Sequence, residues 1–233
     1  SSRYEEMDAV VIFKNVFVPW ERVFIYREPD LCNRAFAQNN AVTQMMHQVV
    51  CGKLAKAEFI VGLLCAMAKA SGKDKDMAIK GLIAEAMFMT ETLRSLRFYA
   101  EQNAHKDEYG TYIPLRRPLD TSRNLFPKMY PRLIELVQIL GSSSLMATPS
   151  ERDLTNEIAD DVSQYFQLQN LESKERIALF RLAHDLSVSG FGGRQTLYER
   201  YFFGPPNVMH SIYFDLYNKD EMIERVDNLL NEA

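Results

Sequence analysis

Between positions 39 and 103 apolar residues recur at helical spacing in two long runs, and this limits what the chain can fold into. In the first run Val42, Met46, Val49, Lys53/Leu54, Ala57, Val61, Leu64 and Ala68 step by three and four. Its second half, Phe59 to Ala68, is apolar all round, the mark of a helix enclosed by others. Gly72 follows as a glycine stop. In the second run Leu82, Ala86, Met89, Leu93, Leu96 and Ala100 form one packing stripe. A third run, Leu125 to Leu140, carries Met129, Leu133, Leu136 and Leu140 on one face. A fourth, Ser173 to Val188, carries Ile177, Phe180 and Ala183, with His184 and Ser187 where the face turns polar. Four such helices bury their stripes best against one another. The pattern predicts a mainly α protein, an antiparallel four-helix bundle.

The flanks predict other elements. Val10-Val11-Ile12-Phe13, Val16-Phe17-Val18 and Val23-Phe24-Ile25-Tyr26 read as strands within residues 8–26. So short a patch cannot stand as an independent sheet, so it is expected to end a larger β domain. Residues 105–124, with Gly110, Pro114 and Pro118, read as a loop, either a solvated crossover or a functional segment. Ser150 is placed to cap a short turn, residues 160–168 to form a short helix, and Ser173 to cap the fourth long one. Beyond Pro206, Leu216, Met222, Ile223, Val226, Leu229 and Leu230 need a partner surface. The expected divisions are therefore 1–30 as the end of a β domain, 31–205 as the bundle, and 206–233 as a C-terminal helical oligomerisation arm.

The net charge is −4 with both signs interspersed, which argues against nucleic acid or anionic lipid as partners. No apolar run reaches membrane-spanning length. Cys32, Cys51 and Cys65 form no CxxC pair, which fits reduced thiols and a cytoplasmic setting. His47 and Cys51, four apart, share a helix face and could touch one ligand, but the four histidines show no metal-ligand spacing.

Two small-residue clusters could carry chemistry. Gly190, Gly192 and Gly193 lie just past the fourth helix and ahead of Arg194. They read either as a helix-closing glycine cap or as a place where backbone N–H groups and a guanidinium meet an anionic or polar ligand. Gly141-Ser142-Ser143-Ser144 ends the third helix, and there too a ligand could approach the backbone closely.

Gly192-Gly193-Arg194-Gln195 with Leu197-Tyr198-Glu199-Arg200 resembles the C-terminal signature of the 4-hydroxyphenylacetate 3-monooxygenase oxygenase-component family, which has an acyl-CoA-dehydrogenase-like fold. Gln138 to Gly141 resembles the Gln-x-x-Gly segment of that fold. The stretch from Glu6 to Phe24 is similar to the last strands of the family's middle β domain. The resemblance implies a two-component phenol hydroxylase using O₂ and reduced FAD from a separate flavin reductase. It implies flavin contacts at Gly192, Gly193, Arg194, Gln195, Gln138, Gly141, Ser142 and Ser143, a homotetramer, and a phenolic substrate held by residues upstream of residue 1. No catalytic residue and no metal ligand is assigned. Two alternatives stay open. One is the related 4-hydroxybutyryl-CoA dehydratases, whose iron–sulfur cluster uses a His and a Cys on a helix here. The other is a non-catalytic helical oligomerisation module.

Overall fold

The protein is described by a computed structural model over residues 9–231. Helix α1 (Pro29–Gln38) leads into α2 (Ala41–Ala70) and α3 (Met77–Gln102). A two-stranded antiparallel hairpin, β1 (His105–Lys106) with β2 (Tyr112–Ile113), precedes α4 (Arg116–Gly141). Then follow α5 (Ala159–Tyr165), α6 (Ser173–Ser187), α7 (Gly190–Tyr201), α8 (Pro206–Leu216) and α9 (Asp220–Asn231).

The helical stripes assemble as their spacing dictates. α2, α3 and α4 pack on one another, and α6 lies against α4 and α2. Leu54, Ile60, Leu64 and Met67 meet Ala86 and Leu93, Phe126, Leu133 and Val137, and Phe180 and Ala183 in one core. The turn between α2 and α3 is set by local chemistry. Gly72 takes φ +66°, and Lys73 N–H reaches back to the Ala68 carbonyl at 2.9 Å, a glycine-closed helix end. Asp76 then caps α3 by accepting the Ile79 N–H at 3.0 Å. Across the bundle Arg132 of α4 grips Glu85 of α3 with two hydrogen bonds of 2.7 and 2.8 Å. That contact holds the Glu85 carboxyl below its ordinary value.

Several expectations are corrected. Residues 9–26 hold no strand; a 3₁₀ turn at Trp20–Arg22 is the regular feature there, and residue 8 lies outside the described residues. Val10, Ile12, Phe13 and Phe17 are 77–92% exposed. β-branched composition makes a strand only where a neighbouring strand completes its ladder. The expected loop at 105–124 is instead the hairpin and the opening turns of α4, which starts at Arg116 and not near Leu125. Pro118 is no obstacle, because it sits in the first turn, where an N–H has no helical partner to lose. Pro127 and Pro131 lie inside α4, four apart, so their missing N–H groups fall on the same helix face. α5 spans Ala159–Tyr165, shorter than the expected 160–168. Ser173 is the buried first residue of α6; Glu172 occupies the cap position and makes no side-chain cap. Ser150 behaves as expected: the Asp153 carboxylate accepts its N–H at 2.7 Å and its hydroxyl at 2.8 Å.

The C-terminal segment divides in two. α8 packs on α4 through buried Met209 and a 2.9 Å hydrogen bond between Tyr213 Oη and Thr121 Oγ1. α9 carries Met222, Ile223, Val226, Leu229 and Leu230 on one face, all more than half exposed.

Candidate functional site

The glycine cluster opens a helix; it does not close one. α6 ends at Ser187, and the N–H groups of Val188 and Ser189 both return to the His184 carbonyl, at 2.8 and 3.0 Å. Ser189 then caps α7: its Oγ accepts the Gly192 N–H at 3.2 Å, and its carbonyl accepts the Gly193 N–H at 3.0 Å. Gly190, Gly192 and Gly193 all have ordinary negative φ, so a left-handed cap is not their role. Ser189 ahead of Gly192 was the sequence signal for a helix start.

The glycines do different work. A Cβ on Gly192 would lie 2.5 Å from the Leu186 carbonyl oxygen and 2.7 Å from its carbon. Only glycine lets α7 press on the end of α6 there. A Cβ on Gly190 or Gly193 would meet no atom within 4 Å. Packing among the described residues therefore does not require glycine at either position. Gly193 and Arg194 are exposed, while Gln195 is buried. With the Gly192 and Gly193 N–H groups taken by Ser189, the first turn of α7 presents the N–H groups of Gly190 and Phe191, the positive end of the helix dipole and a guanidinium on neighbouring positions.

The structure ties the second candidate segment to this helix start. Gln138 Nε2 donates to the Ser187 carbonyl at 2.6 Å, linking α4 to the junction between α6 and α7. Three residues on, Gly141 ends α4 where a Cβ would lie 2.5 Å from Leu145 Cγ. Ser142 has φ +46° and ψ −141°, a conformation rarely adopted by residues with a side chain. Such strain costs on the order of 1–3 kcal/mol and concentrates at ligand-contacting turns. Ser142 and Ser143 are exposed, and the 3₁₀ turn Ser142–Leu145 packs on α6.

Sequence reasoning missed a buried charge cluster one turn further along α7. Glu199, 1% exposed, forms ion pairs with Lys53, which is 3% exposed, and with Lys56. The Lys56 contact is 2.7 Å, and Gln195 Nε2 donates to the same carboxylate oxygen at 3.2 Å. Lys53 Nζ also stands 4.7 Å from the Phe126 ring centroid, 5.0 Å from Phe203 and 5.2 Å from Phe202. The signal was a lysine in the apolar stripe of α2; its partner lay too far along the chain to be read. Lys56 and Gln195 also line a cleft of about 530 Å³ whose walls include Phe59, Tyr130, Leu186 and Phe191.

His47 and Cys51 acquire a third neighbour from α3. Glu101 Oε1 is 2.9 Å from His47 Nε2, which is 3.9 Å from Cys51 Sγ. Arg97 Nε lies 3.4 Å from the same Glu101 oxygen, so the carboxylate already faces a cation and a hydrogen-bonding ring. The group joins α2 to α3 as a polar contact.

Residues 32–231 match the family described as 4-hydroxyphenylacetate 3-hydroxylase C terminal. The oxygenase component of 4-hydroxyphenylacetate 3-monooxygenase from Thermus thermophilus is 44% identical over 233 residues, all of this chain and 48% of that protein. The protein of the same description from a Geobacillus strain is 46% identical over 234 residues, again all of this chain and 47% of its own length. A crystal structure of such an oxygenase component complexed with FAD superposes with a TM-score of 0.88 at 43% identity, covering 95% of this chain and 47% of that one. The chain thus spans about half the length of the relatives it matches. An archaeal 4-hydroxybutyryl-CoA dehydratase superposes with a TM-score of 0.83 at 17% identity, a likeness of fold alone.

Proposed function

The chain belongs to the 4-hydroxyphenylacetate 3-hydroxylase C-terminal family, and from that premise we propose that it is the C-terminal half of a reduced-FAD-dependent phenol hydroxylase. Its substrate is a phenol of the 4-hydroxyphenylacetate type, hydroxylated ortho to its OH, with a separate flavin reductase supplying the reduced cofactor. A relative of the same family has been crystallised with FAD and 4-hydroxyphenylacetate together.

The observation that carries the reading is the start of α7. Gly190 and Gly193 lack a Cβ where none of the described residues needs the space, and Arg194 stands beside them. Backbone donors, a dipole and a guanidinium fit a flat cofactor with a polar edge and phosphates. The strained Ser142 turn and Gln138, anchored to Ser187, fit the same role from the α4 side. Reduced FAD, when bound, supplies the O₂-activating chemistry. The chain's own part is to hold and orient that cofactor through Gly192, Gly193, Arg194, Gln195, Gln138, Gly141, Ser142 and Ser143, and to keep water out. Gly192 acts indirectly, by seating α7 on α6.

The full-length protein, given a flavin reductase and 4-hydroxyphenylacetate, is expected to convert it to the corresponding catechol. Residues 1–233 alone are expected to form no catechol under the same assay, because the phenol-holding residues lie outside them. Catechol formation by this stretch alone removes the proposed division of labour. Absence of turnover by the full-length protein with any para-substituted phenol removes the activity itself.

We also propose a homotetramer, supported by the exposed stripe of α9 and by Phe214 and Leu216, 63% and 59% exposed. An unpartnered apolar face of this kind is unusual on a monomer. Sedimentation of the full-length protein is expected to give a tetramer, and Ile223→Glu with Val226→Glu to dissociate it. A tetramer that withstands both changes places the contact elsewhere.

A further inference from the structure

We infer that Glu199, held by Lys53 and Lys56, is a positioning residue that sets where the flavin-facing end of α7 stands. The inference rests on the flavin reading above and names the device that fixes the proposed site.

α7 is short, begins with three glycines among its first four residues, and owes little to intrinsic helix propensity at that end. Beyond its packing on α4 and α6, two specific contacts locate it. One is the steric seat of Gly192 against Leu186. The other is the Glu199 carboxylate, which reaches α2 through Lys53 and Lys56. Apolar packing and a steric seat are non-directional, so they fix the helix axis more firmly than its last degrees of rotation. A carboxylate bound to two ammonium groups on a different helix is directional and removes that freedom. Glu199 also accepts the Gln195 amide one turn back, so the fixed point extends to the tetrapeptide itself and to one wall of the cleft. Phe126, Phe202 and Phe203 close around Lys53, so its ion pair with Glu199 is buried and little screened by salt.

A buried ion pair is a weak source of stability, and well-packed apolar residues can replace it at no loss. That separates the positioning role from a merely structural one. In the full-length protein, Lys53→Met with Glu199→Leu is expected to lower the unfolding midpoint only modestly, chiefly because the buried Gln195 amide loses its acceptor. FAD affinity, read by quenching of flavin fluorescence, is expected to fall by about ten- to a hundredfold, the scale of losing one charge-assisted hydrogen bond to the cofactor. KM for reduced FAD should rise by a similar factor while kcat at saturating flavin changes little. If the double variant is stable and binds FAD like the parent, while Arg194→Ala weakens binding, the pair is only a structural lock and the inference falls. If Arg194→Ala also binds normally, the flavin reading falls with it. Should the double variant not fold, Glu199→Asp keeps both charges and shortens the reach by one methylene. A folded Glu199→Asp protein with parental FAD affinity also overturns the inference; a weakened one sustains it.

Discussion

Gly192→Ala is expected to lower the unfolding midpoint of the full-length protein, whereas Gly193→Ala, one residue on, is expected to raise it or leave it unchanged. Alanine in a helix interior is favoured over glycine by about 0.8–1.0 kcal/mol, and both positions lie in α7. At Gly193 nothing opposes the gain, since a Cβ meets no atom within 4 Å. At Gly192 the new Cβ would lie 2.5 Å from the Leu186 carbonyl oxygen and 3.0 Å from the Ser187 amide nitrogen. Those atoms are main chain and cannot swing aside, so α7 must move off α6. Overpacking of this kind costs about 1–3 kcal/mol, which outweighs the propensity gain. The two variants should both weaken FAD binding, for different reasons. In Gly192→Ala the helix shifts; in Gly193→Ala the methyl occupies ground the cofactor approaches. Loss of FAD binding in a fully stable Gly193→Ala protein is the more telling result. A Gly193→Ala protein with parental affinity takes Gly193 out of the contact set.

Arg194→Ala is expected to reduce FAD affinity by about ten- to a hundredfold in the full-length protein. A hydrogen bond to a charged group contributes about 1.5–3 kcal/mol, and 1.4 kcal/mol is a factor of ten. The side chain is exposed near the start of α7, so the unfolding midpoint should move little. Lysine should restore only part of the affinity, because it keeps the charge and loses the planar fork. The contrary result is equally specific: normal FAD affinity with a much lower midpoint makes Arg194 a structural ion-pair partner. Glu199 is a poor choice for that partner, since its carboxylate is already taken by Lys53, Lys56 and Gln195.

The sequence by itself determined the helices that build the bundle. Their apolar stripes are local, repeating every three or four residues, and Gly72 and Ser150 act on atoms a few residues away. The same locality made the identity of the tetrapeptide readable, because Gly192 to Gln195 are contiguous. Tertiary structure decided three things that local chemistry leaves open. Ser189 marked the glycine cluster as a helix start, but that residue 192 must be glycine was decided by the close contact of α7 with the Leu186 carbonyl. Whether residues 9–26 paired as strands depended on a ladder partner, which composition cannot provide. Lys53 sat visibly in an apolar stripe, yet its meaning required a carboxylate 146 residues away to be folded against it. A charge can be buried only when its counter-charge and acceptors arrive with it, and only the packed helices bring them together.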